Sequence, residues 1–120
     1  MPNQVVWCDI PCVDLDRALA FYSAVLGQTI PKDQFGDTAF GVLPHEGNDN
    51  GGCLVVMPEM KPSADGPLLY FNCEGRLDAA VDAVTKHGGK IIQPKQSIGP
   101  HGFRAIVIDS EGNRIALHSR

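Results

Sequence analysis

No stretch of this 120-residue sequence approaches the run of about 18 apolar residues that a bilayer-spanning helix requires, so no such helix is expected. An excess of basic residues is missing too. Ten Lys and Arg stand against 14 Asp and Glu, a net charge of -4, with a sequence pI near 5.4. The cations are scattered, which argues against nucleic acid, because its binders carry a basic patch. The opening MPNQVVW has neither a basic start nor an apolar signal core, so export is not expected and the cytoplasm is the expected compartment. GxSxG, HExxH, a phosphate-cradling loop and a dinucleotide fingerprint are all absent, so no standard motif names a reaction. Cysteine is sparse: Cys8, Cys12, Cys53 and Cys73 allow three pairings, but in a cytosolic chain they read as reduced thiols acting as small apolar residues. Cys8 and Cys12 would lie about 13 Å apart along a strand, too far to share one zinc.

What is present suffices for a folded domain. Hydrophobic residues make up 43% and charged residues 20%, and 13 Gly with 9 Pro mark many turns. One domain over residues 1–120 is expected, burying roughly two-thirds of its unfolded surface. VVWCDIPCV alternates as a strand, and Asp14 stands where an N-cap belongs. Leu15, Leu19, Tyr22, Val25 and Leu26 then recur at helical spacing up to a Gly27 stop. QTIPKDQF, TAFGVLP and GCLVVMP read as three strands. The plan then repeats: strand PLLYFNC, helix LDAAVDAVTKHGG, and strands KIIQP, FRAIVID and NRIALHS, the last two joined by a Gly-Asn turn. Leu15 to Gly27 spans the same 12 positions as Leu77 to Gly89. The expected fold is α+β: two βαβββ modules, about 1–58 and 66–120, whose curved mixed sheets surround a cleft with the helices on the outer face. Each module is small, so pairing within the chain or between chains is expected, and a concave cleft suits a small ligand.

DIPCVDLDRALAFYSAVLG, LYFNCEGRLDAAVDAVTKHGGKI and DSEGNRIALHS together resemble the vicinal oxygen chelate superfamily, which includes glyoxalase I, extradiol dioxygenases and bleomycin-resistance proteins. The resemblance covers essentially the whole chain. It implies four metal-ligand positions, usually His, Gln or Glu. Carried onto this sequence, the first falls on Trp7, the third on Leu68 or Leu69, and the fourth on Ala116. The second falls within CLVVMPE, where Glu59 is the candidate although it lies past the expected strand. Tryptophan, leucine and alanine offer no donor to a divalent cation. No cofactor is therefore expected, with a divalent metal at a displaced site as the alternative.

Strand alternation gives the cleft a different lining. Trp7 and Asp9, Tyr70 and Asn72, and Arg114, Ala116 and His118 are expected to face it. Val6, Cys8, Ile10, Ile115 and Leu117 are expected to face the helices. His101 and Arg104, in and after the glycine loop SIGPHGFRA, can reach the cleft mouth. Each has a structural alternative: Trp7 as interface filler, Asp9 with Arg114 as an ion pair between adjacent strands, His118 as a solvated residue. Tyr70 and Asn72 read equally as groups that satisfy local backbone. The expected function is small-molecule binding without a metal, serving sequestration or detoxification, in a homodimer. Trp7, Asp9, Tyr70, Asn72, His101, Arg104 and Arg114 are the expected ligand-binding residues. The alternatives are a glyoxalase-like lyase, isomerase or dioxygenase, with His118, Asp9 or Glu59 as acid–base groups, and a dimer with a filled, inert cleft.

Overall fold

The computed structural model describes residues 3–47 and 50–120. Met1 and Pro2 of the opening stretch, and Asn48 and Asp49 of the connector LPHEGNDNGG, lie outside the described residues. The chain runs β1 (Trp7–Pro11), α1 (Leu15–Leu26), β2 (Asp33–Phe35), β3 (Thr38–Val42), β4 (Gly51–Val55), β5 (Leu69–Asn72), α2 (Leu77–Lys86), β6 (Lys90–Ser97), β7 (Phe103–Ile108) and β8 (Arg114–Ser119). The strands form two four-stranded sheets, β1-β4-β3-β2 and β5-β8-β7-β6. In each, the first strand pairs parallel with the last and the remaining pairs are antiparallel. The expected α+β fold of two βαβββ modules is therefore the observed one.

Asp14 caps α1 by accepting the Arg17 N–H at 3.1 Å, the N-terminal device its position implies. At the other end Gly27 takes φ 71° and donates its N–H to the Ser23 carbonyl. Its lack of a side chain has a second use. A Cβ there would stand 2.8 Å from the Arg76 guanidinium, which donates to the Val25 carbonyl at the C-terminal end of α1. A cation there complements the negative end of the helix dipole. The second helix ends earlier than its glycines suggest: α2 stops at Lys86, and Gly88, not Gly89, carries the left-handed turn at φ 89°.

The two helices bury different widths. On α2 the buried residues Leu77, Ala80 and Val84 form one narrow stripe. On α1, Leu15, Ala18, Leu19, Phe21, Tyr22 and Val25 are all buried, because this helix packs on its own sheet and on the second module. The Tyr22 ring lies 5.4 Å from that of Phe71 on β5. A single hydrophobic core therefore spans both modules.

The β7–β8 turn closes this junction. Asp109 Oδ1 accepts the N–H groups of Glu111, Gly112 and Asn113 at 2.8–2.9 Å. Its Oδ2 receives the Tyr22 hydroxyl at 2.5 Å, and Asn113 Nδ2 donates to the Pro11 carbonyl. Glu111 reaches back to the start of α1, accepting from the Val13 and Asp14 N–H groups at 2.8 and 2.7 Å and from Arg17 Nε at 2.7 Å. Burial pushes the Glu111 carboxyl up, but hydrogen bonds from Arg17, Asp14, Ser110 and Val13 outweigh it and bring the pKa down to about 2. What the sequence shows as a tight turn is thus also a bridge between modules.

Candidate functional site

Each sheet has one face under a helix and one face left open. On β1, Cys8 and Ile10 pack toward the core while Trp7 and Asp9 are exposed. On β5, Leu69 and Phe71 pack inward, and Tyr70 and Asn72 do not. On β8, Ile115 and Leu117 belong to the core, with Arg114, Ala116 and His118 on the opposite side. Strand alternation placed these residues as expected. Val6 departs from that expectation: it precedes β1 and is 65% exposed, so no sheet pairing turns it toward the helix.

The open-face residues form two groups. In the first module Trp7 Nε1 donates to Asp9 Oδ1 at 2.9 Å, and the Cys53 thiol lies 3.3 Å from the same oxygen. In the second, Arg104 Nη1 donates to the Tyr70 hydroxyl. The Tyr70 and His118 rings meet edge-on at 6.1 Å. His118 Nε2 donates to the His101 carbonyl at 2.7 Å, which fixes its tautomer and assigns His101 a backbone role.

The other candidates lie apart. Asn72 accepts the Glu74 N–H at 2.9 Å, and Arg114 Nη2 reaches the Gly66 carbonyl at 3.5 Å. Glu59 is exposed in the turn closed by the Met57–Met60 bridge, beyond the end of β4. The ion pair between Asp9 and Arg114 does not form. Among the described residues β1 pairs with β4, whereas β8 lies between β5 and β7 in the other sheet, so the two strands are not adjacent.

Between the modules, a pocket of about 400 Å³ runs along the seam where β1 and β5 approach. Tyr70 and Asn72 contribute to its wall, with Cys8, Ile10, Leu43 and Phe71 among the rest, and none of the described lining residues is charged. Apolar lining with few polar groups is the usual character of a small-molecule site.

The repeat settles the register that the sequence leaves open. Cys12 N–H donates to the Val55 carbonyl and Cys73 N–H to the His118 carbonyl, at 2.9 and 2.8 Å. These matched bonds, with the pairings Pro11–Val55 and Asn72–His118, superpose Trp7 on Leu68, Asp9 on Tyr70, and Cys53 on Ala116.

The surroundings of the four thiols favour the protonated form. Burial, then Glu111, pushes Cys12 up to about 12. Burial, then the hydrogen bond to Asp9, pushes Cys53 up to about 11. Cys8 and Cys73 are raised as well, chiefly by burial. Since the thiolate is the nucleophile, the native protein is expected to react slowly with a disulfide reagent at mildly alkaline pH. Half-buried Cys8 should react first, and Cys12 and Cys73 only on unfolding; rapid labelling of Cys12 in the folded protein would contradict the structure.

Two repeated modules with mixed sheets, helices on one side and open faces on the other, define the vicinal oxygen chelate class. The chain belongs to the glyoxalase/bleomycin resistance protein/dioxygenase superfamily, whose family model matches residues 4–117. A glyoxylase-like domain-containing protein from Didymella fabae is 35% identical over 98% of this chain and 94% of its own length. The fold is similar to that of a glyoxalase/bleomycin resistance protein from Albidiferax ferrireducens, with a TM-score of 0.76 at 19% identity, covering 98% of this chain and 99% of that one. It is also similar to glyoxalase I from Zea mays, with a TM-score of 0.70 at 19% identity over 92% of this chain and 44% of that longer chain.

The residues at the metal corners do not fit a metal. With the register fixed, the four positions that the resemblance gives to metal ligands are Trp7, Cys53, Leu68 and Ala116, since the repeat superposes Cys53, and not Glu59, on Ala116. Only Cys53 carries a donor atom, and burial and Asp9 keep it protonated. Among the described residues, no three of His, Cys, Asp and Glu gather around a common point. Nor, among them, is any helix long and apolar enough to cross a membrane.

Proposed function

We propose that this chain is a metal-independent, small-molecule-binding member of its superfamily, acting as a homodimer to sequester or detoxify a small organic compound. The observation that carries this reading is the exposure of Trp7 (46%) and Tyr70 (49%) on the open sheet faces. Aromatic surface left in water beside Asp9, Arg104 and His118 suits stacking against a ligand, with polar groups to select it. Trp7 also occupies a corner that the resemblance gives to a metal ligand. Val56, Ile92 and Phe103 are exposed too, and such apolar surface favours a covering partner.

Two measurements test the reading. After incubation with nickel, zinc and manganese followed by dialysis, elemental analysis is expected to find substoichiometric metal; one ion per chain would replace this reading with the metal-dependent alternative. In a thermal-shift screen against metabolites and aromatic antibiotics, a ligand selective for the native state is expected to raise the melting temperature. Absence of any shift would favour an inert dimer.

A further inference from the structure

The second sheet's open face holds cationic charge that forms no ion pair among the described residues. Arg104 on β7 pairs across the ladder with His118, and Arg114 on β8 with Ile108. The two guanidinium groups therefore flank the Ile106–Ala116 rung on one face. The ion pairs among the described residues are Arg17–Glu111, Lys32–Asp16 and Lys95–Asp78, none involving these arginines. The Nε atoms of Arg104 and Arg114 are both buried without a hydrogen-bond partner. In a chain of net charge -4, two uncompensated arginines on an open face are an unusual expense.

Arg104 is also oriented. Its Nη1 is committed to the Tyr70 hydroxyl, and its guanidinium carbon stands 5.9 Å from the centre of the Tyr70 ring. Its Nε lies buried, which leaves Nη2 as the nitrogen that can donate a charge-assisted hydrogen bond to a carboxylate. Tyr70 is at the same time part of the wall of the uncharged seam pocket. Charge and apolar volume thus meet at one side chain.

Resting on the proposed binding function, we infer that the ligand is a small organic carboxylate with an apolar or aromatic body, its anion held by Arg104 and its body lodged against Tyr70 in the seam pocket. Arg114 adds positive potential at the far side of the Ala116 rung, and the missing charge in the pocket selects against a second ionised group on the body.

Matched pairs test this: phenylacetate against phenylacetamide and hydrocinnamate against its amide, by calorimetry and thermal shift. Each acid is expected to bind about tenfold or more tightly than its amide, the usual scale for a charge-assisted bond. Arg104→Gln is expected to abolish that preference while leaving amide binding unchanged, and Arg104→Lys to restore part of it. Lys32→Gln, a cation of the first module outside the site, should behave as wild type. Circular dichroism and melting temperature verify that each variant is folded. Equal binding of acid and amide, undiminished acid binding by Arg104→Gln, or no binding of any probe overturns the inference. So does an Arg104→Gln variant whose only change is weaker self-association, which would make a second copy's carboxylate the partner of Arg104. Neutral hits in the wider screen would sink the carboxylate assignment and leave the binding function standing, whereas stoichiometric metal would overturn the binding function itself.

Discussion

Glu111→Gln is expected to lose about 3 kcal/mol of unfolding free energy at neutral pH. That scale follows from a folded-state pKa of about 2 against an ordinary 4.5, at about 1.4 kcal/mol per pH unit. The side chain is fully shielded from solvent, and its oxygens receive the Val13 and Asp14 N–H groups, the Arg17 guanidinium and the Ser110 hydroxyl. An amide in its place turns one acceptor into a donor facing donors. Because the folded pKa is depressed, the stabilisation is complete above the unfolded value of 4.5 and drains away as pH falls through about 2. Urea unfolding at neutral pH and at about pH 3 checks both parts. The gap between wild type and variant should narrow on acidification, because protonation removes from the wild type what the substitution has already removed. A gap of constant size would show that charge on Glu111 is not what stabilises the junction.

Phe21→Ala is expected to cost about 3–5 kcal/mol, the range for deleting a fully buried aromatic side chain. The ring is 0% exposed and meets Tyr22 edge-on at 5.1 Å. A Cβ placed on Gly89 would stand 2.6 Å from its Cε2 atom, so Phe21 presses directly on the second module's backbone. The void would open between α1 and that module. Phe35→Ala supplies the contrast. Phe35 is 83% exposed on the short strand β2, and its removal should change stability by no more than about 0.5 kcal/mol. Comparable losses for the two variants in denaturant titrations would refute the placement of the core.

The fold was legible because its signals are local. The helical spacing from Leu15 to Leu26, the Asp14 cap and the period-2 strands recur twice in the same order, and each is encoded within a dozen residues. Alternation likewise sorted Trp7 and Asp9 from Cys8 and Ile10 without any knowledge of the tertiary structure. It would also have found Cys53, which faces the same side as Gly51 and Val55 on β4 and pairs with Asp9. Glu59 is the more usual type of ligand, but it stands in the exposed turn beyond β4.

What was illegible depends on separation. Whether Leu68 or Leu69 matches Trp7 rests on the bonds from Cys12 and Cys73 to the parallel strands, and sequence spacing alone does not reveal these. An Asp9–Arg114 pair requires β1 and β8 to be neighbours, which the sheet order denies. In Glu111 the sequence shows a polar turn residue of ordinary type; its partners lie 97 residues away at Asp14 and 94 away at Arg17. The role of Tyr22 was hidden in the same way, since a helical tyrosine reads as core until its hydroxyl is seen on Asp109.

The reach of Glu111 back to α1 has a consequence for the chain during translation. The first module leaves the ribosome early, and domains generally fold as they emerge. The bonds that hold the start of α1, however, are completed only by a turn made nearly a hundred residues later. Until then, α1 must carry Phe21 and Tyr22 with no second module to cover them, and the nascent first module is an apolar surface awaiting its lid. Contacts of such long sequence separation slow folding. The β7–β8 turn is thus the step that ends a period of vulnerability during synthesis, and the cell's holding chaperones, which bind exposed apolar surface, would compete with it for the same helix.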